Sequence, residues 1–222
     1  MTNVHNDGFL LVEEVLGSEL AVVNAARISY DKRKPSIDAA DVGLINSLMR
    51  DRHGSPFEQA GMRFHVRCPI FVAREWFRHR IGSFSEVSGR YVEMKNVAYV
   101  PASTHVRSQV GKAMRYEFVS SSSVEETQEL INQAYLSAFR SYNEMLSLGI
   151  AKELARVVLP LGLYTEFHWS VNLRSLMNFL SLRTHETAQQ EIRDYANVVL
   201  ERFAVEFPNV HSAWVSNGKV GP

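Results

Sequence analysis

The chain has 222 residues, 45% of them apolar and 22% charged, and its 24 lysines and arginines balance 24 aspartates and glutamates. That length can bury a substantial core, and zero formal charge excludes a global field drawing the chain to nucleic acid or an anionic membrane. One cysteine excludes an intrachain disulfide. With no apolar run near the ~20 residues that span a bilayer and no signal-like start, a soluble cytoplasmic protein is expected.

No internal repeat or long linker interrupts residues 1–222, so one domain is expected. Phe9 to Leu16 reads as a strand, and Ser18 to Ile28 as a helix. Ser36 is the expected N-cap of a helix running to about Arg52, with Val42, Ile45, Leu48 and Met49 on one face. His53-Gly54-Ser55-Pro56 breaks it. Met62, Phe64, Val66 and Cys68 alternate with Arg63, His65 and Arg67, the pattern of a half-buried strand. Pro69 then opens a helix carrying Phe71, Val72, Trp76 and Phe77.

The glycine and serines after Ile81 predict a loop, and Tyr91 to Val100 an extended segment ended by Pro101. Ser123 and Glu126 have capping-box spacing and predict a helix to about Leu148, stopped at Gly149. A short helix follows from Ala151, then a strand from Tyr164 to Val171 and helices over Asn172–Leu182 and Thr187–Phe207. Helices outnumber strands without alternating regularly with them. The reading is α+β: helices packed on a small, mostly antiparallel sheet, with no Rossmann unit.

Several chemistries are missing from the sequence. It has no Gly-x-Gly-x-x-Gly, no phosphate-loop lysine motif and no Gly-x-Ser-x-Gly elbow. His185-Glu186-Thr187-Ala188-Gln189 lacks the second histidine of a zinc-protease helix, and the other histidines show no ligand spacing, so no catalytic metal is expected. Cys68, in an apolar run before Pro69, reads as a buried, inert thiol.

What stands out is arginine. Eighteen of the 24 basic residues are arginine, whose forked guanidinium suits phosphates and carboxylates. The stretch Arg78-His79-Arg80-Ile-Gly-Ser-Phe-Ser-Glu86-Val-Ser88-Gly89-Arg90 combines guanidiniums with hydroxyls and glycine-exposed amides, the makings of an anion cradle. If residues 69–77 are helical, Arg74 and Arg78 share one face, and Glu75 is placed to orient His79. Taken alone, these residues also suit a solvated basic helix end or a non-catalytic nucleotide or nucleic-acid phosphate-binding module. The lack of a long basic stripe argues against extended nucleic-acid binding.

Four segments together resemble the flavin-dependent thymidylate synthases: His53 to Glu58, Glu75 to Arg90, Ala155-Arg156-Val-Val-Leu-Pro-Leu161, and Asn172 to Arg183 followed by Ala188-Gln-Gln-Glu-Ile192. The resemblance implies deoxyuridine monophosphate (dUMP) as substrate, held by Glu75, Arg78, Glu86, Ser88, Gly89, Arg90, Arg156 and Arg183. It implies FAD bound by His53, Ser55, Glu58, Arg78, His79, Arg80, Glu86, Asn172, Arg174 and Asn178. It further implies NADPH and methylenetetrahydrofolate as co-substrates, and a homotetramer whose subunits share active sites. Arg183 would activate the uracil ring electrostatically, without a cysteine nucleophile. Two positions depart from the family pattern, Ser85 for asparagine and Thr187 for histidine. A member that binds its ligands but has lost turnover is therefore a further alternative.

Overall fold

The computed structural model describes residues 1–112 and 114–222. At its centre is a five-stranded sheet. Gly8–Leu16 (β2) lies between Thr2–Val4 (β1) and Gly61–Pro69 (β3); β3 pairs with Tyr164–Asn172 (β7), and Ser83–Glu86 (β4) closes the far edge. Every strand pairing among the described residues is antiparallel, which is the α+β reading and leaves no parallel βαβ unit there.

The alternation of β3 sets which side is buried. Met62, Phe64, Val66 and Cys68 are fully buried, while Arg63, His65 and Arg67 point to the half-exposed face. A bulge between Val12 and Glu14 leaves Glu13 unpaired in the ladder and turns its carboxylate onto Nδ1 of His168, 2.7 Å away. On the apolar face sit Glu19–Arg27 (α1), Ala39–Arg50 (α2), Ile70–Trp76 (α3), Leu173–Arg183 (α6), Gln190–Glu206 (α7) and Pro208–Ser216 (α8). A second, smaller core joins Ser121–Ser147 (α4) to Lys152–Ala155 (α5) through Phe139, Tyr142, Ala155 and Leu163. No helix of the described residues is long and apolar enough to cross a membrane.

Several local expectations need correction. The cap of α2 is Asp38, not Ser36: its side chain accepts from Ala40 N and Asp41 N while Asp41 reaches back to Asp38 N. Two carboxylates outcompete a serine here because Lys34 and Arg27 neutralise them. Val42 is exposed, outside the face made by Ile45, Leu48 and Met49. The Ser123–Glu126 capping box does not form; α4 starts a turn earlier behind Ser120, which puts Ser123 inside the helix.

The serine-rich stretch after Ile81 is a strand. Its backbone pairs with β7, and Phe84 packs against Phe77 at 4.8 Å between ring centroids, while the serines lie on an exposed edge. Tyr91–Val100 is irregular apart from one bridge, Ala98 to Leu163. Thr2–Val4, the hairpin Arg107–Gln109 (β5) with Tyr116–Phe118 (β6), and α8 have no counterpart in the sequence reading.

Candidate functional site

Helix α6 carries the site because its faces are sharply divided. Leu173, Leu176, Met177, Phe179 and Leu180 are fully buried against the core. Arg174 and Asn178, four residues apart, face outward, and Arg183 ends the helix half-buried. Asn172 caps the helix by accepting from Ser175 N at 2.9 Å, which leaves its amide NH2 for a ligand.

Opposite α6 runs the turn that follows α3. The helix ends at Trp76, so Arg78 lies in that turn, on no shared face with exposed Arg74. Arg78 N donates to Glu75 O and His79 N to Trp76 O, winding residues 78–80 back toward α6. A cleft of about 660 Å³ results, lined by Glu58, Arg78, His79, Arg80, Arg174, Asn178 and Arg183, among others.

Arg183 organises the cleft. Its Nη1 donates to Glu75 Oε2 at 2.9 Å, its Nη2 to the Glu75 carbonyl at 3.0 Å, and its Nε to His79 Nε2 at 3.0 Å. Glu75 therefore does not orient His79 directly; the guanidinium stands between them. A guanidinium has five N–H donors, so these three bonds leave two for a ligand. Burial, and then the charge of Arg183, holds the His79 imidazole down to about 4, so it is neutral at pH 7. Burial raises the Glu75 carboxyl above its ordinary value, against the opposing pull of Arg183.

Arg174 is anchored through Glu58 Oε1 at 2.6 Å and the carbonyl of Pro222 at 2.8 Å. Arg78 and Arg80 are exposed and make no ion pair among the described residues. Four guanidiniums thus converge on one cleft in which Glu58 and Glu75 are the counter-charges, a set suited to a ligand bearing several phosphates. The role of Pro222 has no sequence signal; it depends on Gly221 packing against α6 beside Arg174 and Asn178.

Other expected residues form a second group. Gly89 is buried where a Cβ would meet Met94 Sδ at 2.9 Å and Arg156 Cδ at 3.2 Å, so the absent side chain lets Arg156 lie against the Ser88–Arg90 turn. Ser88 Oγ accepts from Arg90 N at 3.3 Å, and Arg90 Nε bonds Glu153 at 2.9 Å. Glu86 accepts from Thr165 Oγ1 at 2.6 Å. His53 and Ser55 are exposed on the turn before Glu58; none of these residues lines the cleft around Arg183. Exposed Ser85 pairs in register with His168, and Thr187 bonds His185 at 2.8 Å. Cys68 is fully buried and burial pushes its thiol well up, which suits a core residue and not a nucleophile.

The family profile described as "Thymidylate synthase complementing protein" matches residues 10–209. The chain belongs to the flavin-dependent thymidylate synthase family. It is 44% identical over 209 residues to the enzyme of that name from Thermosipho melanesiensis, covering 92% of this chain and 89% of the relative. With one from Thermus thermophilus it shares 43% identity over 198 residues, covering 89% and 72%. Among solved structures, a UMP/dUMP methylase, PolB from Streptomyces cacaoi, bound with 5-Br UMP, superimposes with a TM-score of 0.91. It is 38% identical and covers 100% of this chain and 99% of that one. The same methylase bound with 5-Br dUMP matches equally at 0.91.

Proposed function

We propose that this family member converts dUMP to thymidylate, taking the one-carbon unit from methylenetetrahydrofolate and the reducing equivalents from NADPH by way of FAD. The observation that carries this reading is Arg183, held by Glu75 and His79 with two N–H groups left over at the edge of an arginine-lined cleft. A substrate of this kind is supported by the 5-Br dUMP bound to the related methylase.

The donor set fits FAD. Arg78, Arg80 and Arg174 suit its diphosphate, and the Asn178 amide and His79 supply hydrogen-bonding groups beside them. When bound, the flavin supplies the hydride that completes the methyl group. The chain's own residues do the rest by position and charge. Arg183 cannot lose its proton, so it stabilises negative charge as it develops on the uracil carbonyls and ring nitrogen. Fixing it through Glu75 and His79 removes the reorganisation that a free arginine would need. The ring is not activated by thiol addition, since the one cysteine of the chain is enclosed in the core.

The substrate phosphate falls to Ser88, Gly89, Arg90 and Arg156. These stand apart from the cleft lining, and Leu154, Val157 and Leu161 are exposed around Arg156. A homotetramer in which one subunit's Ser88–Arg156 group meets another's Arg183 accounts for both facts. The test is thymidylate formation by purified protein given dUMP, methylenetetrahydrofolate and NADPH, with and without FAD. Flavin-dependent product supports the proposal, and absence of product from flavin-loaded protein overturns it.

A further inference from the structure

Away from the arginine cleft, three residues distant in sequence converge. His5 lies in the turn between β1 and β2, His105 ends the single 3₁₀ turn Ser103–His105, and Asp194 is on α7. One ligand atom from each lies within 4.8 Å of the others. Nε2 of His5 is 3.7 Å and Nε2 of His105 is 3.8 Å from the same oxygen, Oδ2 of Asp194. We infer that His5, His105 and Asp194 form a zinc-binding site that staples the N-terminal hairpin and the Ser103–His105 turn to α7.

Separation comes first. The two nitrogen–oxygen distances are too long for hydrogen bonds. Tetrahedral zinc with bonds of about 2.0–2.2 Å to nitrogen and oxygen sets its ligand atoms roughly 3.3–3.5 Å apart. Each nitrogen–oxygen edge therefore needs to close by only a few tenths of an ångström, and the edge between the two imidazoles starts within 4.8 Å. The ligands are also held. Asp194 Oδ1 accepts from Gln190 Nε2, which leaves Oδ2 turned to both imidazoles. The His5 side chain is only 4% exposed. Its backbone sits at φ 58°, a left-handed conformation with a cost for any residue bearing a Cβ. The His5 ring is fixed by edge contacts with Tyr99, His105 and Tyr195 at 5.2, 5.6 and 5.5 Å.

An ordinary carboxylate–imidazole ion pair explains less. Neither imidazole comes within hydrogen-bonding distance of the carboxylate, and the other polar contact of His5 Nε2, with the Glu191 carbonyl, is long at 3.4 Å. Glu191, the nearest other carboxylate, is occupied by Arg107, Tyr99 and Gln189. Two imidazoles and one carboxylate favour a first-row ion such as zinc over magnesium or calcium. The fourth position opens on a cleft of about 720 Å³ that also exposes Asn3, Tyr99 and Gln128, where water can complete the shell.

The test uses the full chain stripped of metal with a chelator and titrated with zinc by calorimetry. One zinc per chain is expected, with a melting temperature that rises with the logarithm of free zinc and does not respond to magnesium. Cobalt in its place should give the intense visible absorption of a tetrahedral centre. His105→Gln and Asp194→Asn, both at positions with a quarter of the side chain exposed, should each weaken zinc binding by about a hundredfold or more. Their metal-free circular dichroism should match that of the parent chain, which separates lost ligation from misfolding. Failure to bind zinc, or stoichiometric zinc undiminished in both variants, overturns the assignment.

Discussion

Nε of Arg183 donates to Nε2 of His79 at 3.0 Å, which makes this imidazole an acceptor and puts its proton on Nδ1. Burial, and then the charge of this cation, keep the ring neutral, since a second positive charge beside the guanidinium is disfavoured. Within the Glu75–His79–Arg183 cluster the positive charge thus rests on one residue. Arg183 keeps its proton at any working pH, and the groups that hold it, neutral His79 and the Glu75 carboxylate and carbonyl, are acceptors.

Arg183→Ala removes the cation proposed to stabilise charge on the uracil ring. Thymidylate formation should fall by about a hundredfold to a thousandfold, with unfolding little changed because the side chain lies at the cleft rim and not in the core. Arg183→Lys should rescue little: a lysine ammonium cannot reproduce the planar fork that reaches Glu75 twice and His79 once. Steady-state rates of the two variants check this. Near-wild-type turnover in Arg183→Ala would remove the residue from the mechanism.

His79 should titrate in the folded protein with a midpoint of about 4, against about 6.5 for an unfolded histidine. The sign follows from proton counting. Between those values the unfolded chain binds a proton that the folded chain refuses, so this residue's contribution to stability falls as pH drops from about 6.5 to about 4 and is constant below. Histidine NMR signals followed against pH give the midpoint directly. In Arg183→Ala it should move upward, because one of its two causes is gone. A wild-type midpoint near 6.5 would contradict the geometry.

Much of the fold was legible because it rests on periodicity. Alternation in residues 61–69 and the apolar spacing of Leu173, Leu176, Met177 and Leu180 follow from which face meets the core. What escaped was set by tertiary partners. Ser83–Glu86 has loop composition and becomes a strand because β7 offers a free edge. The candidate residues could be picked out in the sequence, but their division into the cleft around Arg183 and the group around Gly89 could not. The interposition of Arg183 between Glu75 and His79 joins segments 108 and 104 residues apart, which no local spacing encodes. His5, His105 and Asp194 were hidden for the same reason.

Asp38→Ala should destabilise the protein by about 1 kcal/mol, the usual cost of losing an N-cap side chain. The carboxylate accepts from Ala40 N at 3.0 Å and Asp41 N at 3.1 Å, and its removal leaves those donors to water. Asp38→Asn, which keeps a capping acceptor, should recover most of the loss. Urea denaturation of the three proteins measures both differences. Equal midpoints for alanine and wild type would show that Asp41, bridged to Arg27 and Lys34, secures the start of α2 by itself.

Gly89→Ala tests the second group without touching a charged residue. The new methyl would lie 2.9 Å from Met94 Sδ and 3.2 Å from Arg156 Cδ, so Arg156 must shift away from the Ser88–Arg90 turn. If those residues hold the substrate phosphate, losing one charge-assisted contact should raise KM for dUMP by about tenfold or more. Turnover at saturating dUMP should change much less, because Arg183 and its partners lie in a different cleft. Deoxyuridine, which lacks the phosphate, should be used equally poorly by variant and wild type. A fall in turnover with KM unchanged would instead place Gly89 in the chemistry itself and separate Arg156 from phosphate binding.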